Sequence, residues 1–257
     1  MVRRGSTLAV VTAFAAIYVL WGSTYLAIRV GLESVPPFLL AATRFLMAGA
    51  VLYVGARLAG VPKPTDREWW AAAATGLLML VGGVGGVTWA EQSVASGPAA
   101  LLVATVSMWM VVLDPKPQGH PNGRWRTAVG LAAGLAGVAW LVRPGRGELG
   151  SVDTTGAVVI LASAAAWAYG SLRSRTAALP RSPVMTVAIQ MLAAGVVLAA
   201  LSRVAGEWPP FDPAGVTVRS AIAVGYLALF GSIVTLCSYV WLLRRVSAAA
   251  VGTYAFV

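Results

Sequence analysis

Nine apolar runs follow one another along the chain, at about 8–28, 37–56, 69–90, 95–113, 126–142, 155–172, 184–202, 220–243 and 247 to the end, with only short polar interruptions. A helix needs about 20 residues to cross a bilayer, and most of the runs reach that length. In hydrocarbon every backbone N–H and C=O must be paired within its own segment, so runs of this length read as helices. The interruptions hold residues that break helices, as in Val61-Pro62-Lys63-Pro64 and Asp114-Pro115-Lys116-Pro117. The expected fold class is an all-α, polytopic membrane protein with nine visible transmembrane segments.

Composition excludes the soluble alternative. Hydrophobic residues make up 58% of the 257 positions and charged residues 11%, against about 25% charged in a soluble domain. The net charge of +10 raises the question of nucleic acid, but the basic residues sit between apolar runs and form no single patch. With the N-terminus inside and the runs alternating, thirteen of the 19 Lys and Arg residues fall inside and five outside, and Arg44 alone lies within a span. That bias is the one cytoplasmic loops carry. It accounts for the charge without a nucleic-acid partner and puts a multi-pass protein in the cell (inner or plasma) membrane, N-terminus cytoplasmic. The first run continues past signal-peptide length and is read as a retained helix. Cys237 is the single cysteine, so no disulfide or metal site can be built from it, and no cofactor is called for. The last run, Ala248 to Val257, is too short to span, and the expectation is a chain that stops before a tenth helix.

The chain also repeats itself. At an offset of 146 residues, Trp21 meets Trp167, Pro37 meets Pro183 and Arg44 meets Gln190. Leu46-Met47-Ala48-Gly49-Ala50-Val51-Leu52 falls on Leu192-Ala193-Ala194-Gly195-Val196-Val197-Leu198, Arg57-Leu58-Ala59-Gly60 on Arg203-Val204-Ala205-Gly206, and Asp66 on Asp212. With a small gap, Gly76-Leu77-Leu78 meets Gly225-Tyr226-Leu227. Five helices per unit is an odd number, so the second copy must enter the membrane from the opposite face. The expected organisation is an inverted repeat of five-helix bundles, residues 8–142 and 155–257, the second incomplete. Many secondary transporters are built this way.

Leu20-Trp21-Gly22-Ser23-Thr24-Tyr25-Leu26-Ala27-Ile28 resembles the first helix of the EamA family in the drug/metabolite transporter superfamily. So do Pro36-Pro37 with Ala42-Thr43-Arg44-Phe45, and Trp89-Ala90-Glu91-Gln92-Ser93-Val94 running into Gly97-Pro98-Ala99-Ala100-Leu101-Leu102. Gly130 to Val138 matches the fifth-helix pattern, and Ala166-Trp167-Ala168-Tyr169-Gly170-Ser171 opens the second copy similarly. The resemblance implies ten helices as two inverted bundles around a central cavity, exporting metabolites, amino acids or drugs by alternating access. The sequence departs from the family at the absent tenth helix. It also has Leu113-Asp114-Pro115-Lys116-Pro117 where many relatives carry a Gly-Glu pair.

Arg44 is the sharpest candidate for contact with a solute, because a charge within the bilayer is expensive and tends to face a cavity or a partner. It could anchor a carboxylate or phosphate, or it could be structural, snorkelling outward or capping carbonyls of a neighbouring helix. Gln190, its repeat mate, has the same two readings. Glu91 is the one carboxylate close to a span, read either as a proton-coupling group or as an ion-pair partner of Arg29. Trp21, Tyr25, Trp89, Trp109, Trp167, Tyr169, Tyr239 and Tyr254 could line a cavity for flat solutes or form interfacial belts. The matched positions of Trp21 and Trp167 favour the cavity for those two. Ser23, Thr24, Thr105 and Ser107 offer hydroxyls that either bind solute or join helices.

The expected function is a secondary active transporter handling a small-molecule solute in the bilayer, with no ATP-binding P-loop, and both monomer and homodimer stay open. The alternatives are a membrane-embedded enzyme and a receptor or structural membrane protein. An enzyme would need a positioned acid, base, nucleophile or metal set, and the spans hold no His, Asp or central Glu. A receptor gives no reason for the repeat.

Overall fold

A computed structural model describes residues 7–114, 129–130, 133, 136–137, 140 and 153–256. All regular structure among them is helical: α1 (Thr7–Gly31), α2 (Pro37–Leu58), α3 (Asp66–Ala90), α4 (Ser96–Val112), α5 (Thr154–Thr176), α6 (Pro183–Val204), α7 (Val218–Leu243) and α8 (Ala248–Gly252), which runs into a 3₁₀ turn at Thr253–Phe256. Six of these, α1 to α3 and α5 to α7, are long and apolar enough to cross a membrane, and α4 is a shorter apolar helix. The run expected at 126–142 lies largely outside the described residues.

The helix starts follow from local chemistry. Thr65 and Glu68 form a reciprocal capping box at the head of α3. Asp153, Ser182 and Thr217 cap α5, α6 and α7 through side-chain oxygens that accept backbone N–H groups. Proline at the first position of α2 and of α6 fits a site where no N–H is needed. Both of those helices are 22 residues long, and each is followed by a glycine with positive φ, 78° at Gly60 and 71° at Gly206. A left-handed residue there is strained for anything but glycine.

The core lies between helices rather than beneath a polar shell. Leu8, Val19, Leu26, Val51, Val158, Val196 and Ile222 point outward and are exposed, as side chains that meet lipid must be. Ile17, Phe45, Met79, Leu80, Ile160 and Met191 fill the interior.

The most extensive helix pairing is α2 with α6. A Cβ on Gly49 would come within 3.0 Å of Leu192, and one on Gly195 within 2.7 Å of Leu46. Each helix therefore presents a glycine to the leucine of the other, and the backbones approach as in small-residue membrane crossings.

One end of the bundle gathers the α1–α2, α3–α4 and α6–α7 connections. The Glu207 carboxylate accepts from the backbone N–H of Phe38 (3.1 Å) and Leu39 (2.9 Å), capping the N-terminus of α2 from a distant loop. Thr217 N donates to Ser34 Oγ, Arg219 pairs with Glu33 at 3.5 Å, and Ser93 donates to Asp153. The opposite end carries Val61, Trp69, Leu179 and Val184 packed on Met185. Arg244 donates there to the carbonyls of Pro180 and Arg181. Lys63 follows the C-terminus of α2 while Glu207 caps its N-terminus, so some 33 Å of helix separates them at 1.5 Å per residue.

The self-alignment shifts along the chain. From Pro37 against Pro183 the offset is 146, but the capping residues Thr65 and Thr217 differ by 152, the added residues falling in the longer α6–α7 connection with its 3₁₀ turn at Pro213–Gly215. The sequence match of Asp66 to Asp212 is therefore not a structural one: Asp66 opens α3, while Asp212 caps the 3₁₀ turn. Gly76 against Gly225 fails for the same reason. The helices instead match at a π-helical stretch that begins twelve residues after each cap, Leu77–Gly85 in α3 and Leu229–Val234 in α7.

Overpacking a tight interface costs roughly 1–3 kcal/mol. Gly49→Val and Gly195→Val should each lower the melting temperature of the detergent-purified protein. Gly55→Val, on the same helix as Gly49 but with nothing within 4 Å of its added Cβ, should not. Equal effects from all three would rule out the crossing as the cause.

Candidate functional site

A cavity opens between α1, α2, α3, α4 and α5. Its walls are Trp21, Thr24, Tyr25 and Ile28 of α1, Arg44 of α2, Gly83, Val84 and Val87 of α3, Val103 and Val106 of α4, and Ser163, Ala164 and Trp167 of α5, with Tyr254 of the last turn. Its volume is about 80 Å³.

Its aromatic side is a stack of four rings. Trp21 meets Trp167 edge-on at 5.4 Å, Tyr239 at 5.1 Å and Tyr254 at 4.7 Å, and Trp167 lies 5.3 Å from Tyr239. Such pairs add about 0.5–1.5 kcal/mol each beyond their burial. The Trp167 indole N–H donates to the Tyr239 hydroxyl (3.0 Å), which also bonds the Ser171 hydroxyl (2.7 Å). Tyr239 is fully buried behind the two tryptophans and does not itself line the cavity.

Arg44 forms the cationic wall and is only 3% exposed. Its Nε donates to Ser232 Oγ at 3.1 Å and its Nη2 to the Gly231 carbonyl at 3.4 Å, while Nη1 is buried with no hydrogen-bond partner. The same carbonyl accepts from the Trp21 indole (3.2 Å) and the Thr235 hydroxyl (2.7 Å). Gly231 lies in the π stretch of α7. A π turn disturbs the regular carbonyl ladder, and such turns recur at functional sites. A Cβ on Gly231 would come within 2.9 Å of Thr24, which explains glycine there. Both readings of Arg44 thus meet in one side chain, which holds the Ser232 hydroxyl with one nitrogen and the Gly231 carbonyl with a second, while the third has no hydrogen-bond partner.

Glu91 lies one residue beyond α3 and is fully buried, with neither carboxylate oxygen hydrogen-bonded. The expected ion pair with Arg29 does not form. Arg29 Nη1 donates to the backbone carbonyl of Glu91 instead, at 2.6 Å. Burial pushes the Glu91 carboxyl up to about 8 against the opposing pull of Arg29 and Arg44.

The other sequence candidates scatter. Thr24 and Tyr25 line the cavity. Ser23 turns to Tyr226, hydroxyl to hydroxyl at 2.6 Å. Gln190 is buried at the crossing of α6 with α3, where its Nε2 donates to Thr75 Oγ1 (3.0 Å) and its backbone lies 2.6 Å from where a Cβ of Gly76 would sit. Trp109 packs against the core without reaching the cavity. Trp89 lines a wider cleft of about 690 Å³ among the Glu207-end loops. Tyr169 is 47% exposed on the outer face of α5. Ser163, Gly83 and the Gly231 carbonyl were not legible, because one is a common helix-joining hydroxyl and the others act through backbone.

Apolar spans that enclose a small aromatic and cationic cavity are the build of a membrane protein that carries solutes. The chain belongs to the EamA family, described as the EamA-like transporter family, which matches residues 7–143 and 154–257. It is 43% identical over 246 residues to the "Uncharacterized inner membrane transporter YedA" of Escherichia coli K12, covering 95% of this chain and 78% of that protein. It is 30% identical over 155 residues, 60% of this chain and 50% of the other, to the "Probable terminal-alkyne amino-acid exporter" of Streptantibioticus cattleyicolor. A solved protein structure superposes with a TM-score of 0.67 at 21% identity, covering 98% of this chain and 88% of that one. It shares the fold. The protein is a multi-pass membrane transporter.

A buried acid whose folded pKa is raised contributes stability that is whole below its unfolded value and declines as pH rises toward the folded one. For Glu91 that window runs from about 4.5 to about 8. Melting temperature should therefore fall between pH 5 and pH 9 more in the wild type than in Glu91→Gln, by roughly 2–4 °C for each kcal/mol. Parallel pH profiles would show that Glu91 is not a buried titrating acid.

Proposed function

We propose that this protein exports small metabolites, amino acids or drugs across the cell membrane by alternating access, with the cavity walled by Trp21, Arg44 and Trp167 as its solute site. A five-helix unit, residues 8–142, and a second, incomplete copy, residues 155–257, cross the membrane in opposite senses, with the N-terminus cytoplasmic. The observation that carries this reading is the meeting of residues 146 apart. Trp21 packs on Trp167 in the cavity wall, and Gly49 faces Leu192 as Gly195 faces Leu46. A contact in which i meets j and i's mate meets j's mate is what a two-fold axis produces.

Three further features support it. The connection after α2 and the connection after α6 lie at opposite ends of the bundle, as opposite insertion requires. The π stretches of α3 and α7 begin at matched distances from their caps. One relative is named as a probable amino-acid exporter, which supports outward transport. The two copies rock about their shared cavity, exposing it to each side in turn, and a solute or ion gradient biases the cycle by binding one state better than the other.

Two experiments test the reading. Single cysteines placed at Lys63 and at Glu207 in a Cys237→Ser background should react with impermeant maleimide from opposite sides of sealed vesicles; labelling from the same side ends the inverted arrangement. Arg44→Ala should insert at normal levels yet lose at least tenfold of the efflux rate in proteoliposomes. Unchanged efflux would remove Arg44 from the site.

A further inference from the structure

The cavity has polarity as well as shape. Of its fourteen lining residues one carries a charge, Arg44, and none is acidic. The guanidinium has five N–H donors and no acceptor. Ser232 and the Gly231 carbonyl take one each from Nε and Nη2, while the two on Nη1 have no protein partner although the nitrogen is buried. A buried donor left unmade costs free energy, and more so when the group is charged. The remaining walls are two indoles, two phenols and a face of Val, Ile, Ala and Gly, which suits a flat apolar body and offers nothing to an ammonium group.

The charges around Arg44 leave it uncompensated. Arg29 and Tyr25 of α1 and Arg44 of α2 are the charged or titratable groups that act on Glu91 or that it acts upon. Glu91 forms no ion pair with Arg44. Its raised pKa keeps it mostly neutral below about pH 8. The region therefore holds a net positive charge, and a negative solute gains both the Coulomb attraction and the unused donors of Nη1. Charge-assisted bonds to Arg are about twice as strong as neutral ones.

We propose that the cavity selects small monoanions with a flat apolar body, of which aromatic monocarboxylates are the simplest, and that the carboxylate is bound by Nη1 of Arg44. This rests on the cavity being the solute site. Ionisation of Glu91 at higher pH places a competing negative charge beside Arg44, so affinity for the anion falls as pH rises through that range.

The test is equilibrium binding of radiolabelled benzoate to the full chain purified in a non-ionic detergent, with benzamide and benzylamine as competitors of the same ring size. Benzoate should bind saturably at pH 6.5 and the two competitors at least tenfold more weakly, a comparison that needs no variant. Arg44→Gln should weaken benzoate at least tenfold. Because Arg44 also holds α7, Ala164→Leu provides a second variant that fills the cavity without touching the bonds to Ser232 and Gly231, and it should abolish benzoate binding. Glu91→Gln should bind benzoate at pH 6.5 and lose the decline above pH 8.

Benzamide or benzylamine binding as well as benzoate overturns the proposal, as does benzoate binding that survives both Arg44→Gln and Ala164→Leu, or no benzoate binding at all. If benzylamine occupies the site and Ala164→Leu removes it, the cavity stays the solute site and only the anion selectivity falls. If none of the three ring compounds binds and the cysteines at positions 63 and 207 label from one side, the transport reading falls with it.

Discussion

Everything in this bundle is arranged around the crossing of α2 and α6. Lipid supplies no hydrophobic force between apolar helices, so association depends on close packing and on polar contacts across the interface. Gly49 and Gly195 let the two backbones approach until each meets the other's leucine. That approach fixes where the rest of each helix points. Arg44, on the turn preceding Gly49, is delivered to the π stretch of α7, and Gln190, on the turn preceding Gly195, is delivered to Thr75 just ahead of the π stretch of α3. One steric condition thus sets both polar clamps.

The π stretches give those clamps something to hold. A regular helix keeps its carbonyls for its own N–H groups. At Gly231, three donors from α1, α2 and α7 converge on a single carbonyl. The cluster ties the Trp21 indole and the Arg44 guanidinium to one fixed point, so the aromatic and cationic walls of the cavity share a support. A displacement of α7 would move both together. Such coupling between α7 and the cavity walls is what the proposed rocking requires.

The sequence revealed the fold class because hydrocarbon leaves few choices: an apolar run of some 20 residues has little alternative to a helix. It singled out Arg44 because a charge in a span is costly, and Trp21 and Trp167 because their spacing repeats, and all three line one cavity. It misled where pattern stood in for geometry. Asp66 and Asp212 match in type and offset, but the longer α6–α7 connection puts them in different roles. Tyr169 and Trp109 sit in apolar helices like Trp167, and rotation about the helix axis, which the sequence specifies only weakly when every face is apolar, turns them away from the cavity. Nor did any residue letter mark the Gly231 carbonyl, since a π turn is a property of the backbone.

In the inverted repeat proposed above, the two copies differ in the charge they bring to the interior. At the position of Arg44 in the first half, the second half carries Gln190, equally buried but uncharged and bonded to Thr75. Two arginines so deep in a membrane protein would add a second desolvation cost and repel each other across the shared interior. On that proposal, a single charge leaves the two-fold frame intact for packing and breaks it only at the cavity. The aromatic pair on the axis, Trp21 and Trp167, stays common to both halves, while the charge belongs to one. A solute in the proposed site would meet like aromatic surfaces from both halves but a cation from one side only. Such an asymmetry would orient a polar solute there.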